Sequence, residues 1–203
     1  MHIDYSLHRF RSQKLLSVVD DAIAFMEGTP SYQLPPPAQF VGSGVYALYY
    51  VGNLPLYAKT SALNRDSLVQ PIYVGKAVPP GWRTARAKET RTPDLYRRLR
   101  EHSRSVEQAR NLALVAFKCR FMILADAEAD LVVPVEAELI RRHRPLWNTG
   151  VDGFGNHDPG SGRYNQARSV WDVLHPGRPW AERLTGVSPE LEQVVAKVED
   201  FLR

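Results

Sequence analysis

Residues 43–51 read Ser43-Gly44-Val45-Tyr46-Ala47-Leu48-Tyr49-Tyr50-Val51, and a second short run, Ile72-Tyr73-Val74, ends at Gly75. Valine and tyrosine suit a pleated, half-buried surface, so both runs are predicted strands. Paired antiparallel, they would bring the hydroxyls of Tyr46 and Tyr73 to one place. Working outward, residues 11–27 carry Leu15, Leu16, Val18, Val19, Ala22, Ile23, Phe25 and Met26 at helical spacing and stop at Gly28. Pro35-Pro36-Pro37 reads as a linker. Thr92-Pro93-Asp94 gives an N-cap followed by proline at the first helical position, which starts a helix. Residues 112–124 are β-prone, with Lys118 and Arg120 on one face of a strand, and a helix runs from about Ala127 to His143 before Pro145. The order helix, strand, strand, helix, strand, helix predicts an α+β fold. Its centre is a small antiparallel three-stranded sheet flanked by helices, with N- and C-terminal extensions. Beyond it, residues 149–168 are a long Gly/Asn/Asp/Arg-rich loop of the kind usually kept for function. Ser188 caps, and Pro189 starts, a last helix lined by Leu191, Val194, Val195, Val198, Phe201 and Leu202.

The chain has 203 residues, 44% hydrophobic and 24% charged, which excludes disordered, collagenous and membrane classes. No apolar run is long enough to span a bilayer, and the N-terminus lacks a charged-then-apolar signal pattern. A single cysteine, Cys119, forms no internal disulfide, so a reducing cytoplasm is expected. The net charge is only +4, from 26 basic and 22 acidic residues. Between Lys76 and Arg110, however, ten basic residues face four acidic ones, so this stretch alone carries +6 and the remainder −2. Most of these cations are arginine, whose planar fork grips phosphate oxygens in pairs. The stripe therefore reads as a phosphate-binding face.

Three further features could carry chemistry. Arg98 and His102 are spaced i, i+4 and emerge from the inward face that Leu95 and Leu99 mark, at the edge of a pocket. Glu136 opens the block Glu136-Ala137-Glu138-Leu139-Ile140-Arg141-Arg142-His143-Arg144-Pro145-Leu146-Trp147-Asn148. One carboxylate beside a basic surface suits Mg²⁺, which takes few protein oxygens and keeps its waters. Glu138 points about 200° away at roughly 100° per residue, so only one of the two acids faces the site. Asn148 follows the helix-stopping Pro145, placed to orient that group or to hydrogen-bond a phosphate.

Taken together, Gly-Val-Tyr, Tyr-Val-Gly, Arg-x3-His on a helix and Glu-x2-Leu-Ile-x4-Pro-x-Trp-Asn resemble the GIY-YIG nuclease superfamily over residues 43–148. Valine stands for isoleucine in both signature triplets, a volume-conserving change. The connections 52–72 and 78–91 are longer than in minimal members. The resemblance implies phosphodiester hydrolysis with a single divalent ion, Mg²⁺ with Mn²⁺ as a substitute, held by Glu136. It makes Tyr46 the expected general base, its phenol pKa lowered by nearby positive charge. Tyr73 positions the attacking water, His102 supports proton transfer, and Arg98 binds the scissile phosphate. Asn148 belongs to the same block, and Lys76 is a second expected phosphate contact.

Length, with extra regions at both ends, is similar to the restriction endonuclease branch rather than to repair modules set in longer chains. So are Gly153-Phe154-Gly155-Asn156-His157-Asp158-Pro159-Gly160-Ser161-Gly162-Arg163 and Trp171-Asp172-Val173-Leu174-His175-Pro176-Gly177-Arg178. Members of that kind cut double-stranded DNA at a GC-rich palindrome of the CCGCGG type, which implies a homodimer matching the two-fold of its target. Residues 1–42 are then an N-terminal helical extension and linker, 43–148 the nuclease core, and 149–203 a DNA-reading loop and helix. Arginine is the usual bidentate reader of guanine, so Arg163, Arg168 and Arg178 are the expected base readers. No Asp/Glu-x-Lys occurs in the chain, which excludes the common restriction-enzyme core. Two rivals are a homing or mobile-element endonuclease with a long asymmetric site, and a non-catalytic nucleic-acid-binding protein using the same basic helix.

Overall fold

The computed structural model describes residues 3–10, 12–82 and 92–203. Arg83, Arg86, Lys88 and Arg91 of the basic stripe lie outside the described residues. Four strands, β1 (Tyr32–Gln33), β2 (Gly44–Tyr50), β3 (Tyr73–Ala77) and β4 (Phe117–Ile123), form one antiparallel sheet in the order β1-β4-β2-β3. The helices are α1 (Gln13–Gly28), α2 (Ala58–Leu63), α3 (Asp94–Gln108), α4 (Val132–His143), α5 (Leu146–Thr149), α6 (Val170–Leu174) and α7 (Leu191–Phe201). The class is α+β, as the pattern predicts. The sheet gains a fourth strand because the expected linker pairs Tyr32 with Cys119 and Gln33 with Lys118 before its prolines end the ladder. A two-residue strand leaves no periodicity to read.

All seven residues of β2 are buried because both faces of the sheet are covered. Tyr46, Leu48 and Tyr50 share one core with Leu95 and Leu99 of α3, Trp171 of α6 and Val194 and Val198 of α7. Val45, Ala47 and Tyr49 share another with Val19, Ile23 and Met26 of α1 and Val132, Val135 and Leu139 of α4. Lys118 and Arg120 do share a face of β4: they pair with Tyr49 and Ala47 of β2. Gly44 is required where it stands, since its φ is +151° and a Cβ there would meet the Met122 carbonyl oxygen at 2.1 Å.

Three helix starts differ from expectation, and the first is α4, which begins at Val132 rather than near Ala127 because Asp126–Leu131 form a 3-10 helix ahead of it. Thr92 does not cap α3: Pro93 occupies the cap position without a side-chain bond, and the helix begins at Asp94. The Asp94 carboxylate instead accepts from the hydroxyls of both Thr92 and Ser43. With Leu95 N–H donating to the Gly42 carbonyl at 3.0 Å, these contacts lock the start of α3 onto the start of β2. Ser188 likewise does not cap α7, whose cap position is Glu190. Its hydroxyl accepts the Arg168 N–H at 3.0 Å and so ties the long loop to the last helix.

The helix 11–27 is α1, but only Val19, Ile23 and Met26 of its apolar residues are fully buried, while Leu15, Leu16, Val18 and Phe25 stay exposed. Among the described residues no helix is long and apolar enough to cross a membrane.

Candidate active site

The period of two along β3 places Tyr73, Gly75 and Ala77 on the α3 side of the sheet, and Val74 and Lys76 on the α4 side. β3 is an edge strand, so groups from both sides can meet around it. Tyr46 pairs with Gly75 in the ladder. Its ring lies over that glycine, where a Cβ would stand 2.4 Å from the phenolic oxygen. The glycine of the Tyr-Val-Gly triplet is thus the space into which the Tyr46 hydroxyl fits. Gly75→Ala is expected to displace that hydroxyl, cutting catalysis by on the order of 100-fold. The folded structure should persist, as checked by thermal melting beside an activity assay.

Tyr46 is buried and its Oη is 2.6 Å from His102 Nε2. The i, i+4 spacing brings Arg98 to the same opening, where its charge acts on both Tyr46 and Tyr73. Burial outweighs that charge. The Tyr46 phenol is raised well above its ordinary value, not lowered as expected, chiefly because the ionised form would lie in a dry interior next to Tyr73. His102 is pushed well below the ordinary imidazole range by burial and then by Arg98. The resting pair is therefore a neutral phenol beside a neutral imidazole.

On the other side of β3, Glu136 forms an ion pair with Lys76. Lys76 stands next to Gly75 on β3, which brings this ion pair to the edge strand that carries Tyr73. Glu138 has different partners, Arg141 and Arg142, whose hydrogen bonds hold its carboxyl at about 2. Glu136 can hold a cation, as its ammonium partner shows. Among the described residues there is no group of three His, Cys, Asp or Glu that could enclose one. A single carboxylate fits a hard divalent ion that keeps most of its waters. Asn148 spends its amide on β3: Val74 N–H donates to Oδ1 and Nδ2 donates to the Val74 carbonyl, both at 2.8 Å. It fixes the strand carrying Tyr73 and Lys76.

The loop after α5, marked by its composition as one kept for function, enters the site against α3. Phe154 stacks on His102 with centroids 4.5 Å apart and planes at 17°. Arg98 Nη2 donates to the Gly155 carbonyl at 3.3 Å, while Nη1 donates to Glu101 at 2.8 Å. The same Nη1 lies 2.7 Å from His157 Nε2, which accepts because guanidinium carries no lone pair. These residues line a cleft of about 240 Å³ with Arg104, Gln108 and Trp180. Of the three expected base readers, Arg163 is exposed and Arg168 half-buried. Arg178 is only 1% exposed, its donors spent on the interior, and this corrects its expected role: a guanidinium with no free edge cannot reach a base.

A second tyrosine–histidine pair supplies a contrast. Tyr57 Oη is 2.6 Å from His175 Nε2, His175 Nδ1 is 2.9 Å from Asn111 Oδ1, and Trp147 Nε1 donates to Tyr57 at 3.1 Å. Each member is satisfied inside the core, away from the cleft. Burial lowers His175 to about 3. Both histidines therefore titrate lower folded than unfolded, where imidazole takes its proton near 6.5. Below that pH the unfolded chain binds two protons that the folded one refuses. Stability is then full above pH 6.5 and falls as pH drops below it, by on the order of 1 kcal/mol per pH unit from His175 alone, with His102 adding in the same direction. Denaturant midpoints across that window check this; a flat profile would contradict two buried neutral imidazoles.

A small antiparallel sheet whose edge strand gathers two tyrosines, an Arg-x3-His helix and a helical glutamate defines a nuclease of the GIY-YIG class. The family model described as the Eco29kI GIY-YIG domain matches residues 38–202, and the chain belongs to this restriction endonuclease family. The match runs through the C-terminal loop and helix as well as strands β2, β3 and β4. No curated protein matches the chain. Membership makes DNA the substrate and a divalent metal the general requirement.

Proposed function

We propose that the protein is a site-specific endonuclease that hydrolyses both strands of duplex DNA at a GC-rich palindrome, using one Mg²⁺ held by Glu136. The observation that carries this is the meeting of Arg98, the Tyr46–His102 pair and the Glu136–Lys76 pair around the edge strand β3. When bound, the ion supplies charge stabilisation at the phosphate and the departing oxygen. Arg98 binds the scissile phosphate, for which Glu101 and the Gly155 carbonyl hold it in place. Lys76 adds a second cation there once it releases Glu136.

Neutral groups carry the proton. The Tyr46 oxygen accepts a hydrogen from the attacking water, held in place by Tyr73, while the phenol's own proton passes to His102 Nε2. The water oxygen joins phosphorus as the bond to the leaving oxygen breaks. No phenolate is needed at rest, which accords with the raised Tyr46 and lowered His102 values.

Residues 43–148 are the cutting core and 149–203 the reading segment, with Arg163 and Arg168 the arginines free to meet base edges. The palindrome calls for two copies, and the exposed Leu15, Leu16, Val18 and Phe25 of α1 are a surface on which a second copy could pack. Cutting in a reducing cytoplasm suits the unpaired, buried Cys119. The test is a labelled duplex carrying CCGCGG beside a scrambled one, with sedimentation counting chains per duplex in EDTA. Symmetric cuts in both strands and two chains per duplex are expected. One chain on a long asymmetric site would favour a homing endonuclease, and binding without cutting a non-catalytic binder.

A further inference from the structure

We infer that Arg178 is a positioning residue for the reaction, holding the 153–157 segment so that it orients His102 and Arg98. This rests on the nuclease reading of those two residues. Arg178 has five N–H donors. Nε and Nη2 donate to the Asp172 carboxylate at 2.6 and 2.7 Å, Nη2 also to the Gly153 carbonyl at 2.9 Å, and Nη1 to the carbonyls of Phe154 and Asn156 at 3.1 and 3.2 Å. Its guanidinium carbon lies 4.6 Å from the ring centroids of both Trp171 and Trp180. Side chains of both Arg178 and Asp172 are 1% exposed.

An ion pair buried to that degree is weak evidence of stabilisation, because desolvation offsets much of the attraction. What it does provide is geometry. Three backbone carbonyls in four residues converge on one planar cation, which fixes an otherwise irregular segment. Gly153 makes the turn possible: its φ is +102°, and a Cβ would stand 2.1 Å from Ser169. The fixed segment then delivers its contacts in order. Phe154 lays its ring on His102, Gly155 offers its carbonyl to Arg98, and His157 meets the same guanidinium. Arg178 touches neither substrate nor reacting atoms.

The test uses full-length Arg178→Lys and Phe154→Leu beside the wild type. Lysine keeps the charge but cannot serve five acceptors in a plane. Single-turnover cutting is expected to fall on the order of tenfold to a hundredfold in both variants, at unchanged duplex affinity and cut position. The ring ¹⁵N shifts of His102 in labelled protein should move in both. Wild-type rates with wild-type ring shifts would overturn the inference. So would a loss of affinity or a changed cut position in Arg178→Lys at an unchanged rate, the signature of a base reader. Should Arg178→Lys fail to fold, Phe154→Leu decides alone, since it leaves the latch intact. Should the wild type not cut, the nuclease reading fails, and the ring shifts still decide whether the segment orients His102.

Discussion

Glu136→Gln is expected to abolish metal-dependent cutting while leaving duplex binding intact. The substitution keeps shape and removes one charge. A bound divalent ion contributes several kcal/mol of charge stabilisation, and each 1.4 kcal/mol is tenfold in rate, so a loss of about 1000-fold or more follows. Affinity holds or rises, because Lys76 loses its ion-pair partner and is freed for phosphate. Glu138→Gln is the matched control, two residues along the same helix but turned toward Arg141 and Arg142, and it should cut normally. Cleavage and gel-shift assays on the three proteins check this. Equal loss in both variants would break the assignment of Glu136, and no loss in either would favour a protein that only binds.

The second large effect comes from removing one oxygen at two sites. Tyr46→Phe and Tyr57→Phe each delete a hydroxyl 2.6 Å from a buried histidine nitrogen, in pairs of near-identical chemistry. Different effects on cutting are expected. Without its oxygen Tyr46 can neither take the water's hydrogen nor pass its own to His102, and a positioned acid–base group contributes about 100- to 10,000-fold. Stability should fall as well, by about 1–3 kcal/mol, because His102 Nε2 is left without its partner in a buried site. Tyr57→Phe strands His175 Nε2 and Trp147 Nε1 inside the core, at about 1–3 kcal/mol, and leaves cutting intact. Melting curves and single-turnover rates for both variants separate the roles.

Much of this centre is legible because the groups lie on elements with strong local periods. β2 and β3 show themselves by valine and tyrosine, and Arg98 with His102 by a four-residue step beside Leu95 and Leu99. The angle between successive helical residues separates Glu136 from Glu138, and the structure gives them different partners, Lys76 of β3 for the one and Arg141 with Arg142 of α4 for the other. What escapes a linear reading depends on which groups lose water. Tyr46 beside arginine looks acidified until its burial is known, and burial wins. Arg178, in a Gly/Pro-rich stretch, looks solvated; its acceptors are a carboxylate six residues back and carbonyls more than twenty residues back. Trp171 and Trp180 flanking it were the available signal, since two indoles bracketing one arginine suit a buried cation better than an exposed one. β1 is too short to have a pattern at all.

The most direct measurement is digestion of plasmid DNA by the intact chain with Mg²⁺, run beside an EDTA control, with the fragment ends mapped. Discrete fragments that need the metal and share one symmetric end sequence are predicted. Undigested plasmid at concentrations where the chain shifts duplex DNA, or cutting that proceeds unchanged in EDTA, would contradict the account.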